Sequence, residues 1–209
     1  MPYELVIFDF DGTLADSAEW VRGVLNDVAR RYRFRSVGAH EFDELRAKDT
    51  RAALAYLGVS TWKLPFIVRH MRRLMARGAP HIELFPGVHE LLEQLARRGV
   101  VTAIVSSNSE QNVRQILGPS SAARIQFYAC SVGLFGKRSQ FRAVVRRSGI
   151  APQSAIAIGD EVRDLEAAAG AGIAAGAVAW GYATPELLRS REPAAMFDSF
   201  DQLRDHLTR

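Results

Sequence analysis

Residues 4–10, Glu-Leu-Val-Ile-Phe-Asp-Phe, form a near-continuous apolar run rich in β-branched and aromatic side chains. A run without polar alternation fits a strand buried on both faces, as in parallel sheets. Four similar runs follow at Val101–Ser106, Arg124–Cys130, Ser154–Gly159 and Ala174–Trp180. Helical patterns lie between them at Val88–Arg98, Glu110–Leu117, Gln140–Ser148 and Val162–Ala169. Buried strands alternating with amphipathic helices predict right-handed βαβ units and a three-layer α/β sandwich. Helices near Pro185–Arg189 and Phe200–Leu207 close the chain.

Residues 17 to about 84 break this rhythm, for they contain no strand-like run. The spacing predicts helices over Glu19–Arg33, Glu41–Leu57 and Leu64–Ala76, the last kinked near Pro65. An all-helical unit over 17–85 is therefore expected to interrupt a core built from 1–16 and 86–209, with hinges at Ala15–Ser17 and Phe85–Gly87. The insert carries 13 Lys or Arg against 7 Asp or Glu, while the whole chain has a net charge of only +4. A basic unit over a mildly acidic body suits a small phosphorylated partner, or nucleic acid. No basic stripe interleaved with aromatics is present, which favours the small molecule and argues against nucleic acid.

A chain of 209 residues has room for a core that needs no covalent staples. Its single cysteine, Cys130, excludes an internal disulfide and sits in an apolar run that marks it as a packing residue. The start, Met1-Pro2-Tyr3-Glu4, has no basic region followed by an apolar stretch, and no apolar run reaches about 18 residues. A cytoplasmic protein with no membrane partner is expected, either a monomer or a homodimer.

Four segments carry the chemistry, three of them where a core strand ends and one near the start of a helix. The first is Asp9-Phe10-Asp11-Gly12-Thr13-Leu14. Carboxylates at i and i+2 of an extended chain point to one side, and burying both is costly unless a positive charge lies between them. A hairpin turn would explain Asp11-Gly12 but not a charged Asp9 inside an apolar run. In open α/β sheets, ligand-binding groups sit at the carboxyl ends of strands, where this motif lies. The second is Ser106-Ser107-Asn108, where a hydroxyl and free amides precede a helix; helix capping alone also explains part of it. The third is Lys137, near the start of a helix, where a cation is disfavoured without a local anion. The fourth is Gly159-Asp160-Glu161-Val162-Arg163-Asp164, whose aspartates at i and i+4 share a helix face and repel unless a cation lies near. Arg163 is expected to face solvent.

Two other patterns fail on inspection. Residue 131 is Ser, so Lys137 does not complete a P-loop, and Gly170, Gly172 and Gly176 have neither the spacing nor the strand-to-helix context of a dinucleotide fingerprint. The histidines 40, 70, 81, 89 and 206 form no metal-spaced pair.

Taken in order, the four segments resemble the motifs of the haloacid dehalogenase-like (HAD) superfamily, specifically its helical-cap, phosphoglycolate phosphatase-like branch. The resemblance covers roughly residues 4–16 and 86–182. It implies a three-layer αβα sandwich with a parallel, Rossmann-like sheet and an inserted all-α cap domain. It further implies a Mg²⁺-dependent phosphatase acting on a small phosphorylated metabolite, a phosphate monoester, through an aspartyl-phosphate. By position Asp9 is the nucleophile, Asp11 the proton donor and later the base, and Lys137 a catalytic contact to nucleophile and phosphate. Ser106 would hold phosphoryl oxygens, with Thr13, Ser107 and Asn108 as further substrate-binding positions. Asp9, Asp160, Asp164 and the Asp11 carbonyl would hold or support the metal. Dehalogenases of the same fold usually lack the second aspartate, so Asp11 favours phosphoryl chemistry. Arg46, Lys48 and Arg51 are candidates for a second anionic group on the substrate.

Alternatives stay open at this stage. A phosphomutase on a sugar phosphate shares the four motifs. A phospho-acceptor signalling module shares the acids, hydroxyl and lysine, although the insert after the first strand argues against it. A protein-binding descendant without activity is the third.

Overall fold

The computed structural model describes residues 3–208. Its centre is a six-stranded parallel sheet. Strand β1 (Leu5–Phe8) leads into the short β2 (Ala15–Asp16). Four helices follow: α1 (Ala18–Tyr32), α2 (Glu41–Arg46), α3 (Thr50–Tyr56) and α4 (Leu64–Gly78). The chain returns through β3 (Glu83–Leu84) and alternates through α5 (Val88–Arg97), β4 (Val101–Val105), α6 (Glu110–Ala122), β5 (Phe127–Ala129), α7 (Lys137–Ser148), β6 (Ala155–Gly159), α8 (Val162–Ala171) and β7 (Ala174–Val178). It ends with α9 (Pro185–Arg189), β8 (Ala195–Phe197) and α10 (Phe200–Thr208).

The sheet order is β5-β4-β1-β6-β7-β8. Because successive side chains of a strand point to opposite faces, β1 divides its residues between two cores. Val6 and Phe8 pack with Leu91, Leu92 and Leu95 of α5, Leu117 of α6 and Leu203 of α10. Leu5 and Ile7 pack with Phe141, Val144 and Val145 of α7 and Ala167 and Ala168 of α8. All four β1 residues are buried, as an unalternating apolar run requires. The three-layer sandwich with a helical insert is therefore the observed fold.

Several elements differ from expectation. The helix expected over Glu41–Leu57 is two helices, because Asp49 adopts an extended backbone and its carboxylate accepts a bond from the Ala52 N–H, starting α3 afresh. Pro65 produces no kink: it lies in the first turn of α4, where its missing N–H would have had no partner. The helix after β4 continues past Leu117 through a break at Gly118. Strand β8 has three residues at the sheet edge, too few to show a period in the sequence. The two segments expected as hinges contain or adjoin an antiparallel ribbon, with Ala15 paired to Leu84 and Asp16 to Glu83.

Candidate active site

The carboxyl end of β1 lies between those of β4 and β6, with Phe8 in register with Ile104 on one side and Ile158 on the other. Asp9, Ser106 and Asp160 each follow within two residues of these partners, so three distant stretches converge. The Asp9 N–H donates to the Ile158 carbonyl at 2.8 Å. Oxygens of Asp9, Asp160 and Asp164 lie within 4.8 Å of one another, and all three side chains are buried.

Three buried carboxylates at this spacing demand compensation. Lys137 supplies part of it. The lysine is 2 % exposed, its Nζ lies 2.6 Å from Asp9 Oδ2, and it also pairs with Asp164. Helix α7 begins at Lys137, so the local anions that such a placement requires are these two aspartates. Burial lowers the affinity of the ammonium for its proton, but Asp164 and Asp9 overcome that and hold it above the ordinary lysine range. Among the described residues no basic side chain bonds Asp160, which accepts from the Thr13 hydroxyl at 2.8 Å and the Tyr182 N–H at 2.8 Å. Burial, then the neighbouring Asp9, pushes the Asp160 carboxyl well above the usual range, and burial raises Asp164 as well. Oxygen donors in excess of nearby cations suit a hard divalent ion such as Mg²⁺.

Gly12 makes this convergence possible. Its φ of +80° belongs to the left-handed region, and a Cβ there would collide with the Asp160 carboxylate and lie 2.8 Å from the Tyr182 ring. Asp160 is not itself a helix cap. Glu161 and Asp164 form a reciprocal capping box at the start of α8, in which the Glu161 N–H donates to Asp164 Oδ2 at 3.1 Å. Asp164 thus bonds both Lys137 and the first turn of its helix.

Asp11 is half-buried beside the cluster, and its two oxygens accept from Asn108 Nδ2 at 3.3 and 3.2 Å. Burial, with Asp9 nearby, pushes its carboxyl up to about 7. The Ser106 hydroxyl is buried and accepts the Asn108 N–H at 3.0 Å. The Thr13 hydroxyl is on Asp160, inside the acidic cluster and fully buried. Ser107 turns its carbonyl to Arg72 Nε at 2.7 Å, and no side-chain contact from it to the acidic cluster is seen.

Of the basic candidates on the insert, Arg46 donates to the Tyr182 and Gly181 carbonyls at 3.2 Å each, Arg51 stacks over Phe135 and Lys48 lies over Tyr56. Arg163 departs from expectation. Its side chain is 14 % exposed, it pairs with Glu161, and its buried Nη1 has no hydrogen-bond partner among the described residues. Its position in the first turn of α8 pairs it with the Glu161 cap, a contact that helical phase alone does not reveal.

The sequence reading missed Arg72 and the segment Trp180-Gly181-Tyr182. Trp180 Nε1 donates to the Thr13 carbonyl at 3.2 Å, and the Tyr182 hydroxyl lies 2.7 Å from Ser17 Oγ. A detectable signal existed: this segment follows a core strand at its carboxyl end, as the segments of Asp9, Ser106 and Asp160 do. Cys130 is half-buried against the core, and burial raises its thiol to about 12, too high for a useful nucleophile at neutral pH.

The chain is similar to several known proteins. The sequence model for haloacid dehalogenase-like hydrolases matches residues 6–178. A phosphoglycolate phosphatase of Synechococcus elongatus is 34 % identical over 181 residues, 86 % of this chain and 85 % of that protein. The tyrosine-protein kinase PtkA of Mycobacterium tuberculosis is 28 % identical over 98 % of this chain and 72 % of its own length. Among solved structures, a candidate phosphoglycolate phosphatase from Lactobacillus plantarum superposes with a TM-score of 0.82 at 24 % identity, covering 99 % of this chain and all of that one.

Proposed function

This chain belongs to the haloacid dehalogenase-like hydrolase family, and we propose that it is a Mg²⁺-dependent phosphatase of small phosphate monoesters working through an aspartyl-phosphate. The observation that carries the reading is the buried Asp9, Asp160 and Asp164 cluster, in which Lys137 bridges Asp9 and Asp164, with Asp11 two residues from Asp9 at the end of one strand. Asp9 and Asp160, with the Asp11 carbonyl and support from Asp164, would hold Mg²⁺, which when bound offsets the repulsion between carboxylate and phosphate dianion.

In the first step an Asp9 oxygen attacks phosphorus, the ester P–O bond breaks, and Asp11 gives its proton to the departing oxygen. In the second, Asp11 takes a proton from water, the water oxygen attacks phosphorus, and the bond to Asp9 breaks, releasing phosphate. A carboxyl pushed up to about 7 is suited to both tasks near neutral pH. Lys137 keeps Asp9 oriented and would neutralise a phosphoryl oxygen, and Ser106 would donate to another. Thr13, placed on Asp160, fixes the orientation of a metal ligand. The helical insert, residues 17–85, would act as a cap that excludes water during the first step.

No described helix is long and apolar enough to cross a membrane. The test is phosphate release from small monoesters with and without Mg²⁺. Asp9→Asn is expected to lower the rate at least ~10³-fold, because the attacking group is lost. Equal rates in the two proteins would remove Asp9 from the mechanism. Mass spectrometry of acid-quenched wild type should find a phosphoryl group on Asp9.

A further inference from the structure

The insert does not lie flush on the core. Cavities of about 270 and 420 Å³ open between them, the smaller a chamber bordered by Asp11 and Ile67, and Tyr182 lines both. Beside these spaces single side chains carry the contact, and Arg46 is one of them. It is the last residue of α2. Its own carbonyl, which at a helix end has no partner within the helix, accepts the Thr184 N–H at 3.0 Å. Its guanidinium donates to two successive carbonyls of the core, Nη2 to Gly181 and Nε to Tyr182, each at 3.2 Å.

The same two peptide groups meet Asp160 on their other side. A trans peptide points its C=O and its N–H in opposite directions. The peptide that ends in the Gly181 carbonyl carries the Tyr182 N–H, which donates to Asp160 Oδ2 at 2.8 Å. The peptide that ends in the Tyr182 carbonyl carries the Ala183 N–H, which donates to the Asp160 carbonyl at 3.3 Å. Gly181 lets the segment lie this close, for a Cβ there would come 2.2 Å from the Asp160 Cβ. Two peptides are thus bonded at one end to a guanidinium of the insert and at the other to Asp160. A charged donor on a carbonyl polarises the peptide and strengthens the bond that its N–H makes.

We infer that Arg46 is a positioning residue for the metal: through these two peptides it holds Asp160 in its ligating orientation, so that seating of the insert and Mg²⁺ affinity are linked. The inference rests on the proposed function, which makes Asp160 a metal ligand, and adds a part played by the insert. The sheet register decides where Asp160 stands, and Arg46 decides how firmly its carboxylate is held. Thr13 fixes Oδ1 from within the core, whereas the hold on Oδ2 extends to the insert. Linkage is reciprocal, so Mg²⁺ tightens the insert by the same factor.

The test is Mg²⁺ binding to the full chain without substrate, by isothermal titration calorimetry. Losing a partner just outside the ligand shell costs about 10–100-fold in metal affinity; Arg46 acts one bond further out, and Arg46→Met should raise the Mg²⁺ Kd at least about threefold. The Kd, unlike the stoichiometry, does not depend on the fraction of folded chain. Arg191 pairs with Asp49 of the insert at 3.7 Å and makes no bond to residues 181–183 among the described residues, so Arg191→Met should leave the Kd nearly unchanged. Hydrogen exchange reads the reciprocal effect: Mg²⁺ should slow exchange in α2 of the wild type at least about threefold, and have no such effect in Arg46→Met. A smaller Kd change in Arg46→Met, an equal change in Arg191→Met, or wild-type α2 exchange indifferent to Mg²⁺ would overturn the inference and leave the metal site standing. No Mg²⁺ binding by the wild type, or equal binding by Asp160→Asn, would defeat the metal reading, and this inference with it.

Discussion

The sheet core and the helical insert use the same kinds of apolar side chain to different ends. In α5 of the core, Val88, Leu91, Leu92 and Leu95 are all buried against the sheet. In α2 and α3 of the insert no residue is buried, and α4 buries Met75 alone. The insert nevertheless has amphipathic helices, and apart from Val28 and Ala29 of α1 and Met75 of α4 their apolar side chains are not fully buried. An apolar stripe facing a cavity stabilises the fold little and remains available to a ligand. The core is built to hold charges still, the insert to offer a surface.

That contrast can be broken by experiment. The largest effect on stability is expected at Lys137. In metal-free protein, Lys137→Ala leaves Asp9 and Asp164 buried without their shared cation and should destabilise by about 3–5 kcal/mol in urea unfolding. A loss below about 1 kcal/mol would mean that the acids need no lysine. Next, Leu92→Ala in the core should cost about 2–5 kcal/mol, whereas Ile67→Ala in the insert should cost less than about 1 kcal/mol. Similar costs at both positions would erase the distinction between packed and chamber-lining residues.

Metal addition sharpens the core's side of the comparison. At a hundredfold excess over Kd, Mg²⁺ should add about 2.7 kcal/mol and raise Tm by about 5–10 °C, and Asp160→Asn should abolish the shift. The pH dependence has a definite sign. Asp11 is pushed from 3.8 up to about 7, so the folded chain binds a proton there more tightly than the unfolded chain. Metal-free protein should therefore lose stability as pH rises from about 4 to 7, and saturating Mg²⁺ should reduce the loss. A metal-free Tm that climbs over this interval would contradict the assigned burial.

The smallest effect is expected at the seam between the two regions. The Thr50 hydroxyl donates to Glu161 at 3.0 Å, and Thr50→Val should cost about 0.5–1.5 kcal/mol while speeding hydrogen exchange in α3. Unchanged exchange would show that this bond does not hold the insert down.

The same contrast explains what the sequence could reveal. Five of the six sheet strands were legible as apolar runs, the short edge strand β8 was not, and Asp9 and Asp160 stood out because charge at the end of such a run needs a reason. Lys137 was legible as an unfavourable cation at a helix start. The insert was legible only as helices. The break at Ala47–Asp49 depended on a local cap, and Arg72 and Arg163 acquire meaning only when the insert lies over the core. Gly181 and Tyr182 were hidden because backbone groups do their work: the Tyr182 N–H reaches Asp160, and a Cβ at Gly181 would strike it.

The ribbon pairing Ala15 with Leu84 brings the chain's exit from the core next to its re-entry, about 5 Å apart as in any paired strands. Topologically the insert is a long loop tied off at its neck. A graft of different length or shape, closed by a similar neck, would leave the sheet register and the acidic cluster in place, so substrate choice can be exchanged without rebuilding the chemistry.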